Sequence, residues 1–393
     1  MYSKLFEPGK IGAHTTQNRF VAQPIEGNNA IEGGRVSQPC LDKYAQLAKG
    51  GWGVIVVEAI SVSTTALSCK NGLIMSRRNL DSFKRLVAAA KQANPDTVLL
   101  FQITHAGRKG NPNYCERLSI CPGNDEGRLL STDEIQEIKD AFVTASLMAE
   151  EAGADGIDFK CCHGYFGAEI IRPENTRNDR WGGSWENRSR FFREGIADLQ
   201  AQRRDNRFIV GSRISMYEGY RGGCGTTSPD SLIEDLSEMK LFLELMAQLG
   251  VDYVNVSAGI PGRTSEITRP VRGAELMYLN HLRYTRFAKE AFRALGSDVQ
   301  VIGSAYSVLK ERAFAIAEEM LGKGYADFIG WGRQILSDPN TPVKLKCGEP
   351  IDFCTACSGC SGLLIKGIES GCVVHNPYFR QLSKTGVPSL MHL

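Results

Sequence analysis

The sequence predicts an α/β fold, a (β/α)8 TIM barrel with a cysteine-bearing extension at its C-terminal end. Three observations predict it. Short β-rich runs recur eight times, at residues 19–23, 54–58, 98–103, 156–160, 209–215, 252–257, 299–304 and 327–331. Helical patterns separate them, and several close on Gly, a common helix C-terminus. The strand runs VIVVE, VLLFQI and VQVIG are almost wholly apolar, as parallel strands buried on both faces are.

Taken in order, LDKYAQLAKGG precedes the second strand and LDSFKRLVAAAKQ the third. IQEIKDAFVTASLMAEEAG precedes the fourth and LFLELMAQLG the sixth. LRYTRFAKEAFRALG precedes the seventh and KERAFAIAEEMLGKG the eighth. Eight such units suggest a closed barrel more than an open sheet. The 393 residues fit one barrel with an extension. The expected division is a barrel over 1–345, a four-cysteine segment over 346–377 and a tail over 378–393.

Composition excludes several classes of function. The formal net charge is +2, so nothing points to nucleic acid or an acidic membrane surface. No run of about 18 apolar residues occurs, so no membrane-spanning helix is expected. The N-terminal MYSKLFEPGKIGAHTTQNRF has no apolar stretch of the secretory kind, and a cytoplasmic protein is expected. Cysteine is the unusual feature, with twelve in the chain. Without an export signal, disulfides explain them poorly. Cys40, Cys69, Cys115, Cys121, Cys161, Cys162, Cys224 and Cys347 show no ligand-like spacing and read as small apolar packing residues.

In such barrels the active site is built just past the strand ends. Those positions carry Pro24–Ile25, Glu58–Ala59, Gln102 with His105, and Lys160 with His163 and Tyr165. They continue with Arg213, Ser257–Gly259 with Arg263, Gly303–Ser304, and Gly332–Arg333. The ring holds proton-transfer groups, cations and two Gly-containing turns after the last two strands, where barrels commonly bind phosphate. The C-terminal segment reads Cys354-Thr-Ala-Cys357-Ser-Gly-Cys360, then eleven residues, then Cys372. Three cysteines in one short loop with a distant fourth look like a [4Fe–4S] ligand set. Tetrahedral zinc is the rival, although paired C-x2-C knuckles are its usual form.

The chain resembles the old yellow enzyme family of NADH:flavin oxidoreductases, in the branch of 2,4-dienoyl-CoA reductase, 2-enoate reductase and trimethylamine dehydrogenase. The segments that carry the resemblance are LFEPGKIGAHTTQNRFVAQPI, FQITHAGR, GADGIDFKCCHGY, RPENTRNDRWGGSWENRSRF, GSRIS, VNVSAG, GWGRQILSDP and the terminal cysteines. The resemblance implies FMN. Pro24, Ile25 and Ala59 would line its ring, Gln102 would bond its pyrimidine edge, and Arg213 would stand by the N1/C2 carbonyl region. Gly303, Ser304, Gly332 and Arg333 would hold the phosphate. Cys354, Cys357, Cys360 and Cys372 would ligate the cluster, with one residue fewer between the second and third cysteines than the branch carries.

The implied activity is reduction of the activated C=C bond of an α,β-unsaturated carbonyl compound. His163 and Tyr165 match the family's substrate donor and acid, and Lys160 stands where a first His is usual. Either Lys160 donates to the substrate carbonyl or it pairs with a carboxylate such as Glu58. Arg263 replaces a His and joins the catalytic candidates, and Tyr306 replaces an Arg near the phosphate. The branch continues into nicotinamide-handling domains, whereas no GxGxxG turn occurs here. A separate redox partner is therefore expected, either an NAD(P)H-oxidising flavoprotein or a ferredoxin-like carrier, and homo-oligomers stay open. Two other readings are an amine dehydrogenase of the trimethylamine dehydrogenase type and a non-catalytic electron-transfer subunit.

Overall fold

The computed structural model describes residues 2–65, 67–123, 126–268, 273 and 277–385. Eight parallel strands form the barrel. They are β1 Phe20–Ala22, β2 Val54–Ser61, β3 Val98–Thr104 and β4 Gly156–Phe159, followed by β5 Ile209–Ser215, β6 Tyr253–Ser257, β7 Gln300–Gly303 and β8 Phe328–Trp331. Each pairs with the next. Trp331 of β8 pairs with Ala22 of β1, and Ala22 with Ile55 of β2, so the sheet closes on itself. Closure removes the open edge that a sheet of this size would otherwise present.

The outer helices are α1 Gln38–Lys49, α2 Leu80–Ala93, α3 Thr132–Glu151, α4 Trp185–Gln202, α5 Ser237–Gln248, α6 Tyr278–Ala294, α7 Arg312–Gly322 and α8 Thr341–Cys347. Their starts are written locally. Ser131 and Glu134 form a reciprocal capping box on α3, and Ser37 and Ser184 cap α1 and α4. Two buried clusters result. Val21, Val54, Val56, Val98, Leu100, Ile209, Tyr253, Ile302 and Phe328 fill the barrel, with Ile11 from a short N-terminal hairpin. The larger cluster lies between strands and helices.

The RPENTRNDRWGGSWENRSRF stretch turns out to be scaffold. Arg172 donates to Glu218 at 2.6 Å in a fully buried pair. Asn175 donates to the carbonyls of Ile170 and Trp181, at 2.7 and 2.8 Å. Arg188 reaches the Ile171 carbonyl and Glu238, both at 2.6 Å. Glu218 also accepts the backbone N–H of Gly164 at 3.0 Å, so this motif fixes the loop that follows β4.

The C-terminal segment lies against the barrel mouth. The Ser370 N–H donates to the Gly27 carbonyl at 2.8 Å, and Asn28 donates to the Ile368 carbonyl at 3.1 Å. The expected boundary at 345–346 falls inside α8. The described part of the expected tail is helical, within Pro377–Thr385, and 386–393 lie outside the described residues. No helix among the described residues is long and apolar enough to cross a membrane.

Breaking one partner of a buried ion pair strands the other charge. Arg172→Ala should therefore lower unfolding free energy by about 3–5 kcal/mol in urea titration. A loss below about 1 kcal/mol, the range of exposed pairs, would contradict this scaffold role.

Candidate active site

The C-terminal ends of the strands open into one cleft enclosing about 1170 Å³, part of it open to solvent. Pro24, Ile25, Ala59, Gln102 and Arg213 line it, as do Lys160, His163 and Tyr165. Ser304, Gly332 and Arg333 line its far end. Gly303 does not. A Cβ there would stand 3.2 Å from Thr285 of α6, so it serves close packing beneath Ser304. Tyr306 is fully buried against Trp331, ring centroids 5.7 Å apart, and turns away from the cleft.

Under Gln102 lies Asp158, a wholly buried carboxylate on β4. It accepts from the Gln102 amide nitrogen at 3.1 Å, the Arg213 backbone N–H at 3.2 Å and the Tyr253 hydroxyl at 3.1 Å. Holding the amide nitrogen below leaves the Gln102 carbonyl oxygen to serve the cleft. The Arg213 guanidinium reaches Ser257 at 3.4 Å, while its buried Nε has no hydrogen-bond partner. A buried N–H left unmade is costly, so this cation is built to meet an acceptor in the cleft. Gln23 and Asn255 pair reciprocally at 2.8 and 2.9 Å, and Gln23 donates to Ser304 at 3.1 Å. The side chain of Gln23 needs Gly330 beneath it, where a Cβ would stand 2.0 Å from its nitrogen.

The loop after β4 carries the titratable groups. His163 takes a left-handed backbone, φ +63°, uncommon for a residue with a side chain. Its Nε2 lies 2.7 Å from the Ser257 hydroxyl, and its backbone N–H donates to Ser215 at 2.9 Å. Burial, with Arg213 and Lys160 nearby, holds the imidazole well below the usual range and therefore neutral. The Tyr165 hydroxyl donates to Glu26 at 3.0 Å, and burial with that carboxylate pushes the phenol well up. Lys160 stands over the Tyr165 ring, its ammonium 3.4 Å from the centroid. Burial lowers the Lys160 ammonium below its usual range, with Glu26 opposing.

One of the two readings of Lys160 falls, and Arg263 and His105 are placed elsewhere than expected. Lys160 does not pair with Glu58, which is occupied by Lys43 at 3.0 Å, the Gly27 N–H at 2.6 Å and the Tyr44 hydroxyl at 3.2 Å. Arg263 does not line the cleft. It is 43% exposed, pairs with Glu126 at 3.2 Å and lies over the Tyr220 ring at 3.8 Å, because its turn carries it outward to those partners. His105 is packing, buried edge-on to Phe166, with its Nδ1 accepting from the Gly107 N–H at 3.1 Å.

Two titratable cleft residues had no part in the sequence reading. Glu26 directly follows Pro24–Ile25, and its position past β1 could have marked it. His281 comes from α6, has a buried Nδ1 without a hydrogen-bond partner, and carries no sequence signal.

Cys354, Cys357, Cys360 and Cys372 border one second cavity, of about 290 Å³, with Arg333 and Val373. Their loop is tightly wound, with Ala356 and Ser358 both left-handed at φ +55° and +60°. Gly359 lets it approach Val373, where a Cβ would stand 2.3 Å away. Cys360 and Arg333 line both cavities, so the two sites adjoin. Among the described residues no three His, Cys, Asp or Glu side chains converge on a single metal position. Of the other eight cysteines, six are buried as packing residues should be, Cys115 is half-buried and Cys347 is exposed.

A barrel whose mouth joins a cationic end, a polar floor and buried proton donors fits a cofactor-dependent oxidoreductase. The chain belongs to the NADH:flavin oxidoreductase / NADH oxidase family, whose model matches residues 4–352. It works with flavin, FMN in this family. It is 30% identical to an NADH oxidase of Thermoanaerobacter brockii over 95% of this chain and 56% of that protein. It is 28% identical to an NADPH dehydrogenase of Clostridium acetobutylicum over 86% of this chain and 92% of that one. The chain thus spans just over half of the first of these relatives. A 2-naphthoyl-CoA reductase shares the fold at TM-score 0.79 and 22% identity, covering 98% of this chain and 58% of that one. A histamine dehydrogenase of Rhizobium sp. 4-9 does so at 0.77 and 24%, covering 97% and 53%.

The buried histidines give a pH prediction. Burial lowers His105 and His281 to about 3, and His163 well below its ordinary value. Below about pH 6.5 the unfolded chain binds protons these sites refuse, so stability falls with pH. Each histidine should contribute about 2 kcal/mol in all between pH 7 and 5, with a slope rising toward about 1.4 kcal/mol per pH unit at the acid end, read from urea midpoints. A flat profile across that window would mean that these imidazoles take up protons in the folded state.

Proposed function

We propose that the protein is an FMN- and [4Fe–4S]-dependent ene-reductase acting on CH–CH bonds. Its substrate is an α,β-unsaturated carbonyl compound of the enone, enoate or enoyl-CoA type. The observation that carries this reading is the facing of Tyr165, His163 and Lys160 into the cleft that Gln102 and Arg213 also line. FMN held in the cleft would supply the hydride chemistry. Gln102 would meet its pyrimidine edge, Arg213 would answer negative charge there, and Ser304, Gly332 and Arg333 would hold its phosphate.

The protein's own work is to polarise and protonate. The Lys160 ammonium and the His163 imidazole are donors for a substrate carbonyl oxygen, where negative charge grows during reduction. Tyr165 is the acid for the α carbon. The amine-dehydrogenase reading is weaker. A cationic amine calls for an aromatic cage, yet Tyr165 is the one benzenoid ring among the described lining residues, and Lys160 covers its face.

The four thiols support an iron–sulfur cluster, which passes electrons singly. They border one cavity, in the three-plus-one spacing that suits a polynuclear centre better than paired zinc knuckles. The shared border at Cys360 and Arg333 supports short transfer toward the flavin. The reading includes a separate donor, either an NAD(P)H-oxidising flavoprotein or a small iron–sulfur carrier.

Anaerobically purified protein should hold about one FMN and about four iron atoms per chain. Cys357→Ser should lose the iron and keep most of the flavin; stoichiometric zinc without iron would sink the cluster. Tyr165→Phe should slow enone reduction by roughly 10²–10⁴-fold and spare flavin reduction. In stopped flow, NADH and NADPH should bleach the flavin slowly and a low-potential carrier quickly; fast bleaching by nicotinamide in a cluster-free variant would remove the partner.

A further inference from the structure

Proton delivery by Tyr165 leaves a problem that its neighbours address. Once the phenol has given up its proton, a phenolate sits in a buried position beside a carboxylate. Tyr165 is 8% exposed, and its oxygen lies 3.0 Å from Glu26. Two anions at that distance repel strongly, so one of them must take a proton. Glu26 is half-buried, and its Oε1 also accepts from the hydroxyl of Ser68, itself half-buried and two residues from the exposed Lys70. The carboxylate thus bridges the buried phenol and a solvent-facing loop.

The charged and titratable groups around Tyr165 come from three strand ends. Glu26 follows β1, Cys69 follows β2, and Lys160 follows β4. Burial keeps the Cys69 thiol well above its usual range, so it stays protonated and adds no anion. Tyr114 stands behind Cys69 and Glu26, pushed up to about 12 by burial, and is neutral as well. Lys160 is the cation on this group, and it lies on the ring that would carry the phenolate charge.

We propose that Glu26 is a proton relay for Tyr165 and that Lys160 stabilises the phenolate between transfers. The inference rests on the ene-reductase reading. The Tyr165 O–H bond breaks as the C–H bond forms at the substrate α carbon. Glu26 takes a proton from water on the Ser68 side and gives it to the phenolate oxygen across the existing hydrogen bond. The phenol and the carboxylate are both restored, and the net change is one proton moved from solvent to carbon. Glu26 touches neither the reacting carbon nor the hydride, so it acts through Tyr165.

A nitroalkene separates the two steps, because hydride addition gives a nitronate, a weak base whose protonation is followed on its own. Dithionite-reduced holoprotein is mixed anaerobically with 1-nitrocyclohexene to record flavin oxidation, and holoprotein is given a large excess of the nitronate, so that Tyr165 must be reprotonated at every turnover while nitronate decay is recorded across pH. In Glu26→Gln, nitronate protonation should fall at least about tenfold more than hydride transfer, and its pH profile should differ from the parent's. Formate should restore the proton step in Glu26→Ala but not in Tyr165→Phe, and Glu26→Asp should keep part of it. FMN content of each variant controls for folding. Nitronate protonated in Glu26→Gln at the parental rate and with the parental pH profile overturns the relay alone. If the parent oxidises its flavin with neither the nitroalkene nor 2-cyclohexenone, the ene-reductase reading fails and the relay falls with it.

Discussion

The buried carboxylate of Glu218 is the constraint on which the active-site loop depends. It is fully enclosed and takes the Arg172 guanidinium at 2.6 and 3.2 Å, the Gly164 N–H at 3.0 Å and the Cys224 N–H at 3.1 Å. A charge so enclosed is tolerable only when its lone pairs are filled. Filling them ties the loops after β4 and β5 to one point. Gly164 lies between His163 and Tyr165, so the same carboxylate holds the left-handed turn at His163 against its strain.

Above this anchor, charge is arranged in opposed pairs. Asp158 lies beneath Gln102 and Arg213, and Glu26 lies across Tyr165 from Lys160. In a cleft shielded from water such pairs interact strongly. Asp158 fixes which face of the Gln102 amide serves the cleft, while Arg213 keeps an N–H in reserve. The floor is thus set for a polar, electron-rich partner, and the β4 side is set for moving protons. The cysteine segment completes the mouth through the Gly27 carbonyl and Asn28, which places a thiol cavity beside the cleft.

Much of this was legible from local pattern. The eight strand runs stand at the expected places because buried parallel strands must be apolar without interruption. The positions past them gather at one mouth because a barrel carries all its strand ends to one face. That rule placed Gln102, Arg213, Lys160 and Tyr165 at the mouth, and the family resemblance supplied their expected roles. The helix α4 was harder to read, since its motif is rich in Arg, Glu and Ser that serve buried hydrogen bonds.

Side-chain direction and long-range pairing lay beyond the sequence. Arg263 sits in the right loop, but Glu126 and Tyr220 draw it outward, and both are brought near only by folding. Glu58 lies in the right strand, yet Lys43 of α1 reaches it first. His281 enters the cleft from a helix, where nothing in its neighbours marks it. The sequence by itself determined the barrel, the ring of chemical groups at its mouth and the four-cysteine loop, because periodicity and spacing are local properties. The tertiary structure decided which of those groups face the cleft and which are spent on partners, because a hydrogen bond between residues more than a hundred positions apart, as from Tyr165 to Glu26, exists only once the chain has closed.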